Sequence, residues 1–188
     1  MSNGAMDELG PLARLVGTWE GDKGDDRSPA ADRSDGHNVY RERMVFEPTG
    51  QVDNHEQTLF GLRYRTTAWR LGADAPFHEE LGYWMWDAER SQVMRCFLVP
   101  RGIAVIAGGT VAPDATTFSL AATLGSATYG ICSNPFLDAQ FKTVRYELTM
   151  TFLPDGGLSY EENTMMEMPD RARLHQHTDA NTLVRIES

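Results

Sequence analysis

The clearest signal in the chain is a rhythm of two. Over residues 143–153, Val144, Tyr146, Leu148, Met150 and Phe152 fall on one face and Thr143, Arg145, Glu147, Thr149 and Thr151 on the other, the period of a strand with one buried side. From Val39 the same rhythm sets Tyr40, Glu42, Met44 and Phe46 against Val39, Arg41, Arg43 and Val45. Further strands are predicted over 55–60 and 62–71 (a hairpin pivoting at Gly61), then over 78–87, 92–99, 103–111, 116–124, 158–168 and 180–186. Turn-forming groups separate them, among them Pro48-Thr49-Gly50, Pro100-Arg101-Gly102 and Pro154-Asp155-Gly156-Gly157.

Before the first strand, Leu9, Leu12, Leu15 and Val16 recur at helical spacing. They predict a turn or two of helix, interrupted at Gly10-Pro11, that closes one end of the fold. Gly17-Thr18-Trp19 then begins strand one, with Gly17 letting backbone pass close to a neighbour and Trp19 plugging the hydrophobic interior. Two long loops are expected, an acidic one over 22–38 and a second over 125–138. About ten short strands with no long amphipathic helix mean a sandwich or a barrel. The expected fold is all-β, a closed antiparallel up-and-down barrel with a short N-terminal helical segment, spanning residues 1–188 as one domain and leaving room for a ligand cavity.

Composition narrows the partners. Hydrophobic residues make up 41% of 188 residues, enough for a core, and the formal net charge is −10. With no cluster of Lys and Arg, nucleic acid and anionic membrane are not expected as partners. Cys96 and Cys132 form neither a disulfide framework nor a metal-binding spacing. No secretory signal or membrane-length apolar run occurs, so a cytoplasmic protein is expected. Barrel edges and long loops leave a homodimer open.

Histidines carry the candidate chemistry. His37 and His55 read as solvated. His78 stands beside Glu79 and Glu80, where a carboxylate fixes a tautomer or the ring simply bonds structurally. His175 and His177 lie two apart and, on an extended chain, point the same way. With no third ligand identifiable, a stand-alone zinc site is not expected; one imidazole is enough to hold haem iron, and two exposed histidines near a turn is the equally weighted reading. The pairs Glu79-Glu80 and Glu161-Glu162 alternate in and out, so one member of each faces solvent. Nucleophile-elbow, phosphate-loop and dinucleotide motifs are absent. Met165, Met166 and Met168 read as core or cavity lining.

Taken together, four stretches resemble the nitrobindin-like haem-binding β-barrel family, related in fold to fatty-acid-binding proteins and lipocalins. They are the run from Leu9 to Gly21, the run Pro76-Phe77-His78-Glu79-Glu80-Leu81-Gly82-Tyr83-Trp84, the turn Val99-Pro100-Arg101-Gly102, and the closing stretch from Leu174 to Arg185. The resemblance implies haem b at one open end of the barrel, with His177 as the axial ligand of the iron, His175 as the fallback and His78 near the pocket. It also implies nitric oxide binding and peroxynitrite isomerisation if haem is bound. The chain departs from the family in its lid, where a longer acidic insert runs to Asn38, with Lys23, Arg27 and Arg33 available to meet haem propionates. A haem-free carrier or sensor of a small hydrophobic ligand is the alternative the same barrel supports.

Overall fold

The computed structural model describes residues 6–186. A 3-10 helix (Gly10–Leu15) leads into β1 (Gly17–Arg27), β2 (Asn38–Asp53), β3 (Thr58–Arg70), β4 (His78–Asp87), β5 (Gln92–Val99) and β6 (Ile103–Thr110). Then come β7 (Thr117–Thr123), the short β8 (Ile131–Ser133), helix α1 (Pro135–Gln140), β9 (Lys142–Phe152), β10 (Leu158–Glu167) and β11 (His175–Ile186). Every pairing is antiparallel. Neighbours in sequence pair in turn, β7 joins β9, and β11 returns to β1, closing a ten-stranded barrel while β8 extends the mouth end of β6. Among the described residues no helix is long and apolar enough to cross a membrane.

Closure follows from the alternation. Tyr40, Glu42, Met44 and Phe46 are all buried, as are Tyr146, Leu148, Met150 and Phe152. At the base, Leu9, Leu12 and Leu15 pack under the barrel, and Trp19, 1% exposed, donates its indole N–H to the Leu15 carbonyl at 2.7 Å. The helix starts at Gly10 with Pro11 in its first turn rather than being interrupted there. Gly17 has a different task from the one expected. A Cβ there would meet nothing nearer than Arg185 Cδ at 4.0 Å, but its φ of +119° is open to glycine alone.

Several boundaries differ from the sequence reading, each because pairing overrides a local turn signal. Asp22 to Arg27 belong to β1, which bulges between Gly21 and Gly24 and then resumes pairing with β2 and β11. Gly24 is needed here, because the Tyr40 ring lies 2.4 Å from where its Cβ would be. Pro48-Thr49-Gly50 is a bulge inside β2, and Gly61 lies inside a continuous β3 rather than at a hairpin. The second expected loop contains β8 and α1, the latter capped by Asn134, whose side chain accepts from Leu137 N–H at 3.0 Å. A bulge at Val144 turns Thr143 inward, and β11 starts early enough to include both His175 and His177.

Trp19→Ala removes the largest side chain of the base and should lower the unfolding free energy by about 3–5 kcal/mol in a denaturant melt.

Candidate functional site

Strand parity decides what faces the interior. Inside the barrel lies a cavity of about 680 Å³ whose lower wall is apolar, with Met44, Phe46, Trp84, Val105, Leu148 and Met150. That size and lining suit a small-molecule site. The mouth is bounded by Ser28–Ala31, Arg33, Phe77 and the helix residues Phe136 and Leu137. Between mouth and base the inward positions are polar.

One polar cluster forms around Arg95, which β5 points inward and which is 5% exposed. Its guanidinium pairs with Glu80 of β4 and, at 2.9 Å, with Glu162 of β10. It also donates to the hydroxyls of Tyr64 and Tyr146 and lies 4.3 Å from the centroid of Phe97. Tyr64 donates to Glu80 at 3.0 Å and Tyr146 to Glu162 at 2.7 Å. Burial works to raise the pKa of Glu80, but the charge of Arg95 and hydrogen bonds from His78 and Tyr64 outweigh it and hold the carboxyl well below the usual range. Glu79 and Glu161 are exposed while Glu80 and Glu162 face in, so each acidic pair divides as expected.

A second cluster is a chain of oxygens. Tyr40 donates to Asp179 Oδ1 at 2.5 Å, the Tyr40 and Tyr160 hydroxyls are 2.7 Å apart, and Tyr160 donates to Glu42 Oε2 at 2.9 Å. Thr66 and Asn181 also donate to Glu42. Three contacts along Asp179–Tyr40–Tyr160–Glu42 need three hydrogens, and the two phenols supply two. The third comes from a carboxylic acid that donates to its tyrosine, freeing that phenol to donate to the other, so one acid of the pair is neutral. Burial pushes both carboxyls up, aided by the charge of Glu162 on Asp179 and of Glu80 on Glu42; Asp179 reaches about 8.

At the mouth, His175 and His177 lie on the same side of β11, but only His177 lines the cavity. His177 lines the cavity, and its Nε2 lies 2.7 Å from Asp26 Oδ1. Asp26 also accepts from Ser28 Oγ at 2.9 Å and Asn38 Nδ2 at 2.7 Å. Burial alone would raise its pKa, but those bonds and His177 bring it below the usual value. His175 is buried; Arg171 lies 2.9 Å from its Nδ1, and its Nε2 is buried with no hydrogen-bond partner. Burial and the charge of Arg171 push this imidazole's pKa down. His78, in the cavity wall, bonds Glu80 Oε1 at 3.2 Å. Its surroundings alone would lower its pKa, but Glu80, with the charges of Glu162 and Asp179, pushes it up to about 9.

The acidic insert is a fastened lid. Ser28 and Gly36 pair across it at 2.8 Å, Arg171 bonds the Arg33 carbonyl at 2.5 Å and Asp35 at 2.7 Å, and Arg33 reaches Asp170 and Gln140. Arg33 lines the mouth. Lys23 and Arg27 are exposed, and Arg27 pairs with Asp25.

Comparison with known families places this geometry. The model of the THAP4-like, heme-binding beta-barrel domain matches residues 8–185. The chain belongs to that family. The resemblance read in the sequence thus holds over nearly the whole chain. The crystal structure of Rv2717c from M. tuberculosis is similar in fold, with a TM-score of 0.67 at 22% identity over 96% of this chain and 98% of that one. A comparison with curated proteins finds no match.

The residues of this family member fit a haem-type ligand on the chemistry of their donors. Among the described residues no group of three His, Cys, Asp or Glu side chains is placed to hold a bare metal ion. Iron carried by a porphyrin needs only one imidazole. Asp26 fixes the His177 proton on Nε2 and leaves the Nδ1 lone pair available, the carboxylate–histidine arrangement common behind metal ligands. On His175 the donor is Arg171, which engages Nδ1 and leaves the proton on Nε2, a poor state for a ligand. Arg33, Arg70 and Arg101 line the mouth as anion partners.

Sequence reasoning did not single out Arg95, Glu42, Asp26 or Asp179. For two of them alternation shows the facing, since Arg95 alternates with Val93 and Phe97 and Glu42 with Tyr40 and Met44, whereas Asp26 and Asp179 have no apolar residue two positions away on either side.

His78 holds its proton more tightly in the folded state than its ordinary 6.5, so its contribution to stability is full below about 6.5 and is lost as pH rises through about 9. Thermal melts of wild type and His78→Gln should therefore converge between about pH 6 and about pH 10, wild type losing its advantage at the alkaline end.

Proposed function

We propose that this barrel binds haem b in its cavity, with His177 as the axial ligand of the iron. The observation that carries the reading is the Asp26–His177 pair at the cavity wall, 2.7 Å apart, with Asp26 held by two further donors. A carboxylate so fastened orients the ring. Arg33 and Arg101 would face the propionates at the mouth, and His78 would stand in the wall as a second imidazole, charged through Glu80. When bound, haem held by His177 would supply iron, the chemistry that nitric oxide binding and peroxynitrite isomerisation require.

Titrating the apoprotein with ferric haem should produce a shifted Soret band that His177→Ala abolishes and His175→Ala retains. Asp26→Asn should still bind, with affinity lowered about 10–100-fold. Equal haem affinity in wild type and His177→Ala would overturn the assignment.

A second reading, a carrier of a small hydrophobic ligand without iron, is favoured by the polar chain Asp179–Tyr40–Tyr160–Glu42, which lies in the cavity wall and has no part in holding haem.

A further inference from the structure

Charges inside the barrel are unequally matched. Three side chains of the inner wall can be positive, and each already faces an acid. Arg95 takes Glu80 and Glu162, His78 takes Glu80, and His177 takes Asp26. Glu42 and Asp179 are left with neutral donors only: Thr66, Tyr160 and Asn181 for Glu42, Tyr40 for Asp179. Among the described residues, the second oxygen of Asp179 has no partner, and both acids line the cavity. None of the arginines at the mouth bonds either acid: Arg33 is bound to Asp170 and Gln140, Arg70 to Asn38, and the Arg101 side chain reaches neither.

A separate observation asks for a ligand in the same space. Trp84 points inward from β4, is 2% exposed and lines the cavity, yet its indole Nε1 is buried without a hydrogen-bond partner. Its ring neighbours are Phe46, Tyr64 and Phe118, with centroids 6.2–6.3 Å away. A buried donor left unpaired costs free energy until an acceptor arrives. Protein groups do not provide one here; a ligand in the cavity can.

We propose that the cavity takes a cationic amphiphile, an alkyl- or arylammonium whose charged head lies against Glu42 and Asp179 and whose apolar body lies among Met44, Phe46, Trp84, Leu148 and Met150. This deepens the carrier reading and does not depend on haem. An ammonium offers only donors, which is what two acids bridged by tyrosines can accept. Aromatic faces at Tyr40 and Phe77, 5.7 Å apart, add cation–π attraction near the mouth. A carboxylate head placed against Glu42 and Asp179 would meet like charge.

The test is calorimetric titration of the haem-free protein near neutral pH with decylamine, decan-1-ol and decanoate, each below its micellar concentration. Decylamine should bind at least about tenfold more tightly than decan-1-ol, and decanoate should not saturate. Asp179→Asn and Glu42→Gln should each reduce the preference for amine over alcohol. If a variant fails to fold, the wild-type ranking of the three ligands still decides. Equal binding of amine and alcohol would overturn the proposal and leave the carrier reading standing, and tightest binding of decanoate would overturn its sign of charge. Binding of none of the three would overturn both, and the haem titration is read separately from its Soret band.

Discussion

A closed barrel admits no water to the charges it encloses except through its mouth, and the buried guanidinium of Arg95 is the group that makes this constraint felt. Its partners come from β3, β4, β9 and β10, so a single cation on β5 is joined to both neighbouring and opposing walls. Burying an ion pair is weak evidence of net stability, because desolvation offsets much of the attraction. What it does impose is arrangement. Glu80 and Glu162 must converge on one point, which fixes the facing of β4 and β10, and Tyr64 and Tyr146 are held with their hydroxyls toward the same point. A charged brace across the interior also resists collapse of the walls onto each other, which keeps space open below the lid.

That arrangement governs the remaining interior charges. Arg95 and His78 are committed to Glu80 and Glu162, and no cation bonds Glu42 or Asp179, which retain a proton between them. A polar chain of this kind is tolerable only because Tyr40, Tyr160, Thr66 and Asn181 satisfy most of the lone pairs. Interior chemistry here is thus a matter of counting hydrogens and charges, and ligand preference follows from what the count leaves over.

The barrel was legible because its signal is repetitive: inward positions recur every second residue, and one error does not disturb the rest. Boundaries were less legible where a turn-forming group sits inside a paired strand. Pro48-Thr49-Gly50 reads as a turn, yet β3 continues to pair beyond it, so the extra residue becomes a bulge. Residues 22–27 read as loop because they are acidic and glycine-rich, but neighbours on both sides supply hydrogen bonds that local composition does not predict. The two imidazoles of the closing stretch were legible as sharing a face. The acids and Arg95 were not, because alternation says which way a residue points and not which distant residue it meets across the barrel.

The lid explains how two histidines on one strand face acquire different roles. Asp35, in the inserted segment, holds Arg171, and Arg171 in turn lies against Nδ1 of His175. Without the insert, Arg171 would lose both Asp35 and the Arg33 carbonyl, and nothing would hold its charge against that ring. Asp26, on β1 just before the insert, does the opposite for His177: it accepts a proton-bearing nitrogen and leaves the other lone pair available. The acidic insert is more than a barrier to an anionic ligand, since Asp25 faces Arg27 and His37, Asp26 faces His177 and Asp35 faces Arg171. Its effect on the site is to hold the charge of Arg171 against Nδ1 of His175, whereas His177 on the same strand face lines the cavity beside Asp26.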